Sequence, residues 1–285
     1  MSSITDVYSP RTTFRCTRLR GAKVGSSVCQ FCAVGCSQLG FFKDGKLIDV
    51  EGDPRSAVNE GRLCPKGSST YALNDNPYRK VKPMYRAPGS DHWEEVTLDW
   101  MLDTVAKRIW DTRNKGFVEK DPATGITVNN CANIGFIGGS ANDNEECYLF
   151  RKLFTGGLGI LPVENSARYC HSTTVAALSP TFGFGACTNP PRDLLNSDCI
   201  LIMGSNMAEA HPCAFYWPMQ AKKKGAVTIH VDPRYTRTSA ACDHHVHIRP
   251  ETDIAFLSAV IRYILEKGLW FKEYVLAYTN ASTII

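Results

Sequence analysis

Three cysteines crowd into eight residues, Cys29-x-x-Cys32-x-x-x-Cys36, and a fourth, Cys64, follows 28 positions later in Leu63-Cys64-Pro65-Lys66-Gly67. No other feature limits the fold as much, because four thiolates meeting one inorganic centre oblige the whole stretch between them to wrap around it. Three closely spaced ligands hold three iron corners of a cubane, and a distant fourth closes the cage. Zinc sites usually pair their ligands as two Cys-x-x-Cys knuckles, and here the second knuckle is missing. Disulfides form poorly between cysteines this crowded and belong to oxidising compartments. The spacing therefore predicts a [4Fe–4S] cluster on Cys29, Cys32, Cys36 and Cys64, with zinc or unligated thiols as the alternatives. Lys66, two residues past the fourth cysteine, reads as a surface lysine by itself. Beside an anionic cluster it would stabilise the reduced state and bridge to an anionic second cofactor.

The other cysteines (Cys16, Cys131, Cys147, Cys187, Cys199, Cys213, Cys242) show no ligand spacing and read as structural. A chain of 285 residues buries a core without disulfide staples and has room for about two domains. Its 44% hydrophobic and 21% charged residues exclude disorder. A net charge of +4 without a basic block gives no reason to expect nucleic acid as a partner. No apolar run reaches the roughly 18 residues of a membrane helix, so no direct membrane insertion is expected. The start, MSSITDVYSPRTTFRC, lacks the apolar core of a secretory signal and an Arg-Arg pair before one. A cytoplasmic location is expected, with periplasmic export on a signalled partner as the alternative.

Texture divides the chain into residues 1–90, 91–165 and 166–285. The first stretch is turn-rich, and Lys43-Asp44-Gly45-Lys46 between two apolar runs predicts a tight hairpin. Pro83, Pro88 and Gly89 mark a linker-like passage. The second opens with a helix capped by Thr97, presenting Leu98, Met101, Leu102, Val105 and Ile109 on one face. A strand over 134–140 and a helix near 145–154 follow. In the third, Cys199–Met203 predicts a strand buried on both faces of a parallel sheet. A helical segment runs from there to about Lys224, and Val227–Val231 is the next strand. A last helix is capped by Asp253, with Ile254, Leu257, Val260, Ile261 and Ile264 inward and Gly268 closing it. The fold class is α/β: a small iron–sulfur domain with β-hairpins, then α/β (Rossmann-like) domains.

A strand ending in Gly204, a polar turn, a helix and a strand ending in Asp232 form the skeleton of a dinucleotide-binding unit. Gly204 would admit phosphate and Asp232 would accept from sugar or base donors. The GxGxxG fingerprint is absent, so a purely structural α/β unit stays open. Asn206, Glu209 and His211 crowd the strand's carboxyl edge, where open sheets bind ligands. Arg234 and Arg237 add phosphate-seeking character. Singly, Glu209 reads as a helix-dipole acid and His211 as a satisfied interior histidine.

Ser166-Ala167-Arg168-Tyr169-Cys170-His171 precedes a small-residue helix, a setting in which Cys170 is either an ordinary buried cysteine or a reactive thiol. Taken with CxxCxxxC…CPKG, ENSARYCH, MGSNMAEAHP and VDPRYTRTSAACD, it makes the chain resemble the molybdenum or tungsten bis-pyranopterin (bis-MGD) oxidoreductases. The resemblance, from about Val28 onward, is to the catalytic (alpha) subunit of respiratory formate dehydrogenases in their cysteine form. It implies that Cys29, Cys32, Cys36 and Cys64 bind [4Fe–4S], that Lys66 lies between cluster and pterin, that Cys170 binds Mo or W, and that His171 handles the proton. It further implies that Gly204, Asn206, Glu209, His211, Asp232, Arg234, Thr252 and Asp253 line one guanine-dinucleotide arm. Formate would be oxidised to carbon dioxide, or the reverse, with electrons passing to an iron–sulfur partner subunit. Family catalytic subunits are much longer, so the chain is incomplete relative to them. An active-site arginine downstream of the Cys-His pair and most contacts to the second pterin arm have no counterpart here. The resemblance therefore implies a C-terminal remainder on another chain, or a truncation, and an isolated chain that does not turn over formate. Competing readings are a nitrate reductase of the periplasmic type, a non-catalytic iron–sulfur electron-transfer subunit of the same fold, and a zinc-bound binding module.

Overall fold

The computed structural model describes residues 2, 3 and 18–283; Cys16 lies outside the described residues. The chain divides into two compact units, Met1–Pro190 and Pro191–Ile285. The changes of texture at 90 and 165 both fall inside the first.

In that unit the strands Ser2–Ser3, Lys23–Val28, Ser37–Lys43 and Lys46–Gly52 form one antiparallel sheet in sequence order. Asp44 and Gly45 turn the last pair with φ of 51° and 78°, the two positive values a type I′ hairpin needs. Leu39 and Phe41, both fully buried, pack with Leu19, Ala22 and Val24. The passage around Pro88 is not a plain linker, because Met84–Tyr85 pairs antiparallel with Glu94–Glu95. Thr97 caps the helix Leu98–Gly116, its hydroxyl oxygen accepting from Trp100 N–H at 3.2 Å. No residue of that helix is buried. A second hairpin, Phe117–Lys120 with Thr127–Cys131, follows it.

The strand expected over 134–140 shrinks to Phe136–Ile137, paired parallel with Val163–Glu164. The chain leaves the sheet at Gly139, whose N–H donates to Asn142 Oδ1 and whose carbonyl accepts from Asn165 Nδ2, both at 2.9 Å. The helix expected near 145–154 is Asn144–Arg151, and it widens into a π-type turn over Lys152–Gly157. Ser166–Cys170 and Ser172–Phe182 are separate helices meeting at His171.

The second unit holds three parallel strands in order, Cys199–Met203, Val227–Val231 and His244–Val246. The first is not buried on both faces: Ile200 and Ile202 are covered, packed with Phe215 and Ala221, but Leu201 on the other face is 47% exposed. The helical stretch after it breaks into Met207–Ala210 and Pro212–Lys223. Pro212 drives the preceding residue out of the α region, and His211 sits at φ −133°, ψ 55°. The last helix, Asp253–Glu266, has Thr252 rather than Asp253 at its N-cap position. Its expected inward face is uncovered, with Ile254 81% and Ile261 57% exposed.

Asp243 ties the second strand to the third. Its carboxylate accepts from Thr228 N–H and Oγ1–H at 2.9 and 2.8 Å and from Lys222 Nζ at 2.9 Å. The Lys222 ammonium first, then the Thr228 donors, hold this carboxyl well below the usual carboxylate range. A carboxyl whose folded value is depressed stabilises fully above its unfolded value and loses that contribution as pH falls through the folded one. Urea midpoints taken at about pH 6 and about pH 3 are expected to fall less with acid in Asp243→Asn than in the parent chain. The variant is expected to be the weaker of the two at pH 6.

Candidate functional site

The four N-terminal cysteines sit on the connection between two paired strands and at the start of one short helix. Lys23–Val28 runs into Cys29, and Ser37–Lys43 starts directly after Cys36, with Val28 opposite Ser37. Cys29 N–H donates to Cys36 O at 2.9 Å, so the loop carrying Cys32 closes between two paired strands. Cys64 is the N-cap residue of Pro65–Ser68, with Pro65 starting the helix and Ser68 N–H donating to Cys64 O at 3.0 Å. That helix faces the loop: a Cβ on Gly67 would lie 3.7 Å from Cys29 Sγ. Cys29 and Cys36 are buried, Cys32 and Cys64 are partly exposed, and none of the four is in a disulfide.

Two buried amides, which the sequence pattern did not flag, hold this cradle. Asn59 accepts from Ser37 N–H at 3.0 Å and donates Nδ2–H to Ser37 O at 3.1 Å and to Arg62 O at 2.8 Å. It therefore pins the residue after Cys36 to the one two before Cys64. Gln38 Nε2 donates to Gly67 O at 2.8 Å and to Thr70 Oγ1 at 3.1 Å, fixing the Cys64 helix to the sheet. Among the described residues, no three His, Cys, Asp or Glu side chains converge as a single ion needs. A cubane does not ask for that convergence, since it takes one thiolate at each iron corner. The buried thiols, the helix-cap position of Cys64 and the bare face of Gly67 fit a cluster. Lys66 is exposed on the same short helix.

Cys170 and His171 sit just beyond the carboxyl end of the Val163–Glu164 strand. Asn165 caps the intervening helix, accepting from Ala167 N–H at 3.0 Å, while its own amide holds Gly139 of the neighbouring strand's exit. Glu164 pairs with Arg168 at 2.8 Å. Cys170 ends that helix instead of beginning the next one, and His171 is the junction: its N–H donates to Ala167 O and its carbonyl accepts from Val175 N–H. Both side chains are exposed.

In the second unit the parallel register sets Met203 beside Val231. Gly204, at φ 61°, follows with its N–H on Val231 O at 3.0 Å. This places Gly204 and Asp232 side by side at the carboxyl edge. Asn206 Nδ2 donates to Glu209, whose other oxygen meets Arg237 Nε at 3.3 Å, and Thr238 Oγ1 donates to Asn206 Oδ1 at 3.0 Å. Asp232 Oδ1 accepts from Arg234 N–H at 2.7 Å. Beneath the edge lies His230, fully buried. Its Nε2–H donates to Ser205 O at 3.1 Å, and Nδ1 lies 2.7 Å from Ser239 Oγ. A carbonyl only accepts, so Nε2 carries the proton, and His230 fixes the turn between Gly204 and Asn206 to the helix Arg237–Ala241. A histidine inside the apolar run Val227–Val231 was the one signal available for it. His211 joins the two short helices. Thr252 bonds its own loop, Oγ1–H to Arg249 O at 2.6 Å, and Asp253 opens the last helix exposed. Among the described residues, no hydrogen bond or ion pair joins Thr252 or Asp253 to the Gly204–Asp232 group.

The fold is that of an α/β protein, with a four-cysteine loop and a Cys-His pair past a parallel strand in the first unit and a polar carboxyl edge on a parallel sheet in the second. Residues 22–76 match the molybdopterin oxidoreductase Fe4S4 domain and residues 79–273 match molybdopterin oxidoreductase. The chain belongs to the molybdopterin oxidoreductase family, whose groups are a [4Fe–4S] cluster and a molybdenum- or tungsten-bearing pterin. It is 53% identical to formate dehydrogenase subunit alpha of Megalodesulfovibrio gigas, over 93% of this chain and 26% of that protein. It is 43% identical to the formate dehydrogenase-O major subunit of Escherichia coli, over 91% and 26%. The F420-dependent formate dehydrogenase subunit alpha of Methanocaldococcus jannaschii is 32% identical, over 89% and 35%. The chain thus spans about a quarter of the length of the first two. Among solved structures, acetylene hydratase from Pelobacter acetylenicus superposes with a TM-score of 0.69 over 88% of this chain and 33% of that one, at 22% identity; this likeness shows the fold. No helix among the described residues is long and apolar enough to cross a membrane.

Proposed function

We propose that the chain is the cluster-bearing and first cofactor-binding part of a formate dehydrogenase catalytic subunit, interconverting formate and carbon dioxide. The observation that carries this reading is the Cys170-His171 pair at the carboxyl end of a parallel strand, in the same unit as the four-cysteine cradle. When bound, the metal–pterin centre supplies the two-electron chemistry at carbon and the cluster supplies a one-electron relay. Cys29, Cys32, Cys36 and Cys64 hold the cluster, and Lys66 stands on the Cys64 helix as the cation beside it. Cys170 offers the thiolate ligand, and the His171 imidazole, exposed next to it, takes and releases the substrate proton. In the second unit, a Rossmann-like arrangement receives one pterin-guanine-dinucleotide arm. There Gly204 leaves room for phosphate, Asn206 and Asp232 offer acceptors, and Arg234 offers cationic donors. Glu209 and His211 belong to the same edge, and Thr252 and Asp253, at the start of the last helix and outside that hydrogen-bonded group, would meet the arm from there.

The chain does not complete the active site by itself. The apolar sides of Leu98–Gly116 and Asp253–Glu266 stand uncovered, with Trp110 63% and Ile254 81% exposed. Faces of this kind are covered by further polypeptide, which we assign to the rest of the catalytic subunit. An iron–sulfur subunit then takes the electrons.

The test is elemental analysis for Fe, Mo, W and Zn on anaerobically purified protein with whatever co-purifies retained. Iron together with Mo or W is expected, with formate oxidation by the assembly and none by the pure 285-residue chain. Zinc without iron would defeat the reading, and iron without Mo or W would leave an electron-transfer subunit. Turnover by the pure chain would show that no further polypeptide is needed.

A further inference from the structure

His230 stands inside the apolar strand Val227–Val231 and is fully buried. An aliphatic side chain would fill that volume without the desolvation cost of an imidazole, so the ring has to be held at both nitrogens. Nε2–H donates to Ser205 O at 3.1 Å, and Nδ1 lies 2.7 Å from Ser239 Oγ. Nε2 is also 3.9 Å from Asp232 Oδ2, beyond hydrogen-bond reach. Ser239 Oγ accepts from Thr236 N–H at 2.8 Å, as part of the cap of Arg237–Ala241. The two nitrogens thus serve different ends: Nδ1 the fold around that helix, Nε2 the turn after Gly204.

The Ser205 contact decides which way one peptide faces. In a planar trans peptide the C=O and the following N–H point in opposite directions, and no peptide among the described residues is cis. With Ser205 O drawn inward to a buried ring, Asn206 N–H is turned outward, to the carboxyl edge beside Gly204. That N–H has no hydrogen bond among the described residues, and a Cβ on Gly204 would meet nothing within 4 Å. We propose that His230 is a positioning residue of this edge, holding the Asn206 N–H outward as a donor to a nucleotide phosphate. The inference rests on the reading of the edge as the seat of a pterin-guanine-dinucleotide arm. It adds what aims the backbone there, a side chain that itself touches no ligand.

The test titrates the full 285-residue chain with GDP, which carries the guanosine diphosphate end of such an arm. His230→Gln offers an amide N–H near the place of Nε2 and nothing to Ser239, whereas His230→Asn reaches only the place of Nδ1. Each leaves one buried contact unmade, so both are expected to unfold at lower urea than the parent. GDP affinity separates them. His230→Gln is expected to stay within about threefold of the parent and His230→Asn to weaken about tenfold, the fold-change of one lost hydrogen bond. Ser239→Ala removes only the Nδ1 partner and is expected to stay within about threefold as well. Equal affinities in His230→Gln and His230→Asn overturn the proposal. A loss of about tenfold in Ser239→Ala overturns it too, and needs no folded His230→Asn. If the parent binds no GDP, the arm reading fails instead, and amide exchange in the nucleotide-free chain decides whether His230 holds the turn. Gly204 N–H, on Val231 O, and Ala208 N–H, on Thr238 Oγ1, are then expected to exchange faster in His230→Asn than in His230→Gln; equal rates remove His230 from that role.

Discussion

Asn59→Asp is expected to cost the first unit about 3 kcal/mol or more and to lower its iron retention, although the two side chains have nearly the same shape. Asn59 is 1% exposed and uses both ends of its amide, accepting from Ser37 N–H and donating to the carbonyls of Ser37 and Arg62. A carboxylate keeps the acceptor and removes the donor. Two carbonyls then lose their partner, at about 1–3 kcal/mol each, and face a buried negative charge. The sign with pH is fixed by the same geometry. Carbonyls around it raise the new carboxyl above its unfolded value, so the penalty is full above the folded value and shrinks as pH falls through it and a donor returns. Chemical denaturation across that range, read together with iron content, checks both effects. Asn76→Asp is the control. Its exposed Oδ1 already accepts from Tyr78 N–H at 2.8 Å, and a carboxylate does the same. Equal losses in the two variants would remove Asn59 from its positioning role.

Asn59 also shows what the sequence left unread. The cysteine spacing, the Asp44-Gly45 turn, the strands at 199–203 and 227–231 and the Thr97 cap are local patterns, each decided within a few residues. Asn59 reaches back 22 positions to Ser37 as well as forward to Arg62, and Gln38 reaches 29 and 32 positions to Gly67 and Thr70. In a turn-rich stretch, a polar residue about to be buried looks like one about to be solvated. The parallel strand near 136 is shorter than its apolar residues Ile134, Phe136 and Ile137 suggest, because Gly135, Gly138 and Gly139 weaken a strand. The exit at Gly139 is set by Asn142 and Asn165, which the local pattern does not single out. Burial was misjudged for a different reason. Periodicity tells which face of Asp253–Glu266 is apolar, not whether this chain supplies what covers it. At the candidate site the carboxyl-edge group was legible as a cluster of residue types. Its support was not, since His230 and Thr238 work from beneath, through hydrogen bonds to Ser205 and Asn206.

Gly52→Ala puts the same cradle to a steric test. Gly52 ends the strand Lys46–Gly52, and a Cβ built there would lie 2.4 Å from Gly61 O and 2.5 Å from Gly61 C. Both are backbone atoms, so no side chain can swing aside. Gly52 does not adopt positive φ, and chain entropy alone would therefore favour alanine by about 0.4–1 kcal/mol. The contact outweighs that term. Gly61 is held in place by its N–H on Asp53 O at 2.9 Å, and Asp53 by its N–H on Ser37 O at 3.0 Å. To admit a methyl group, the loop from Asp53 to Gly61 has to lift from the strand end. Asn59 rides on that loop, and Arg62 and Cys64 follow it directly, so the displacement reaches the cysteine cradle. A loss of about 1–3 kcal/mol is expected, with a parallel fall in retained iron. Gly25→Ala in the same sheet meets only the Phe42 ring edge at 3.4 Å and is expected to stay within about 0.5 kcal/mol of the parent. If Gly52→Ala matched it in stability and iron content, the loop would not be seated on the strand end, and the close approach of the Cys64 helix to the Cys29 segment would have to come from Gln38 alone.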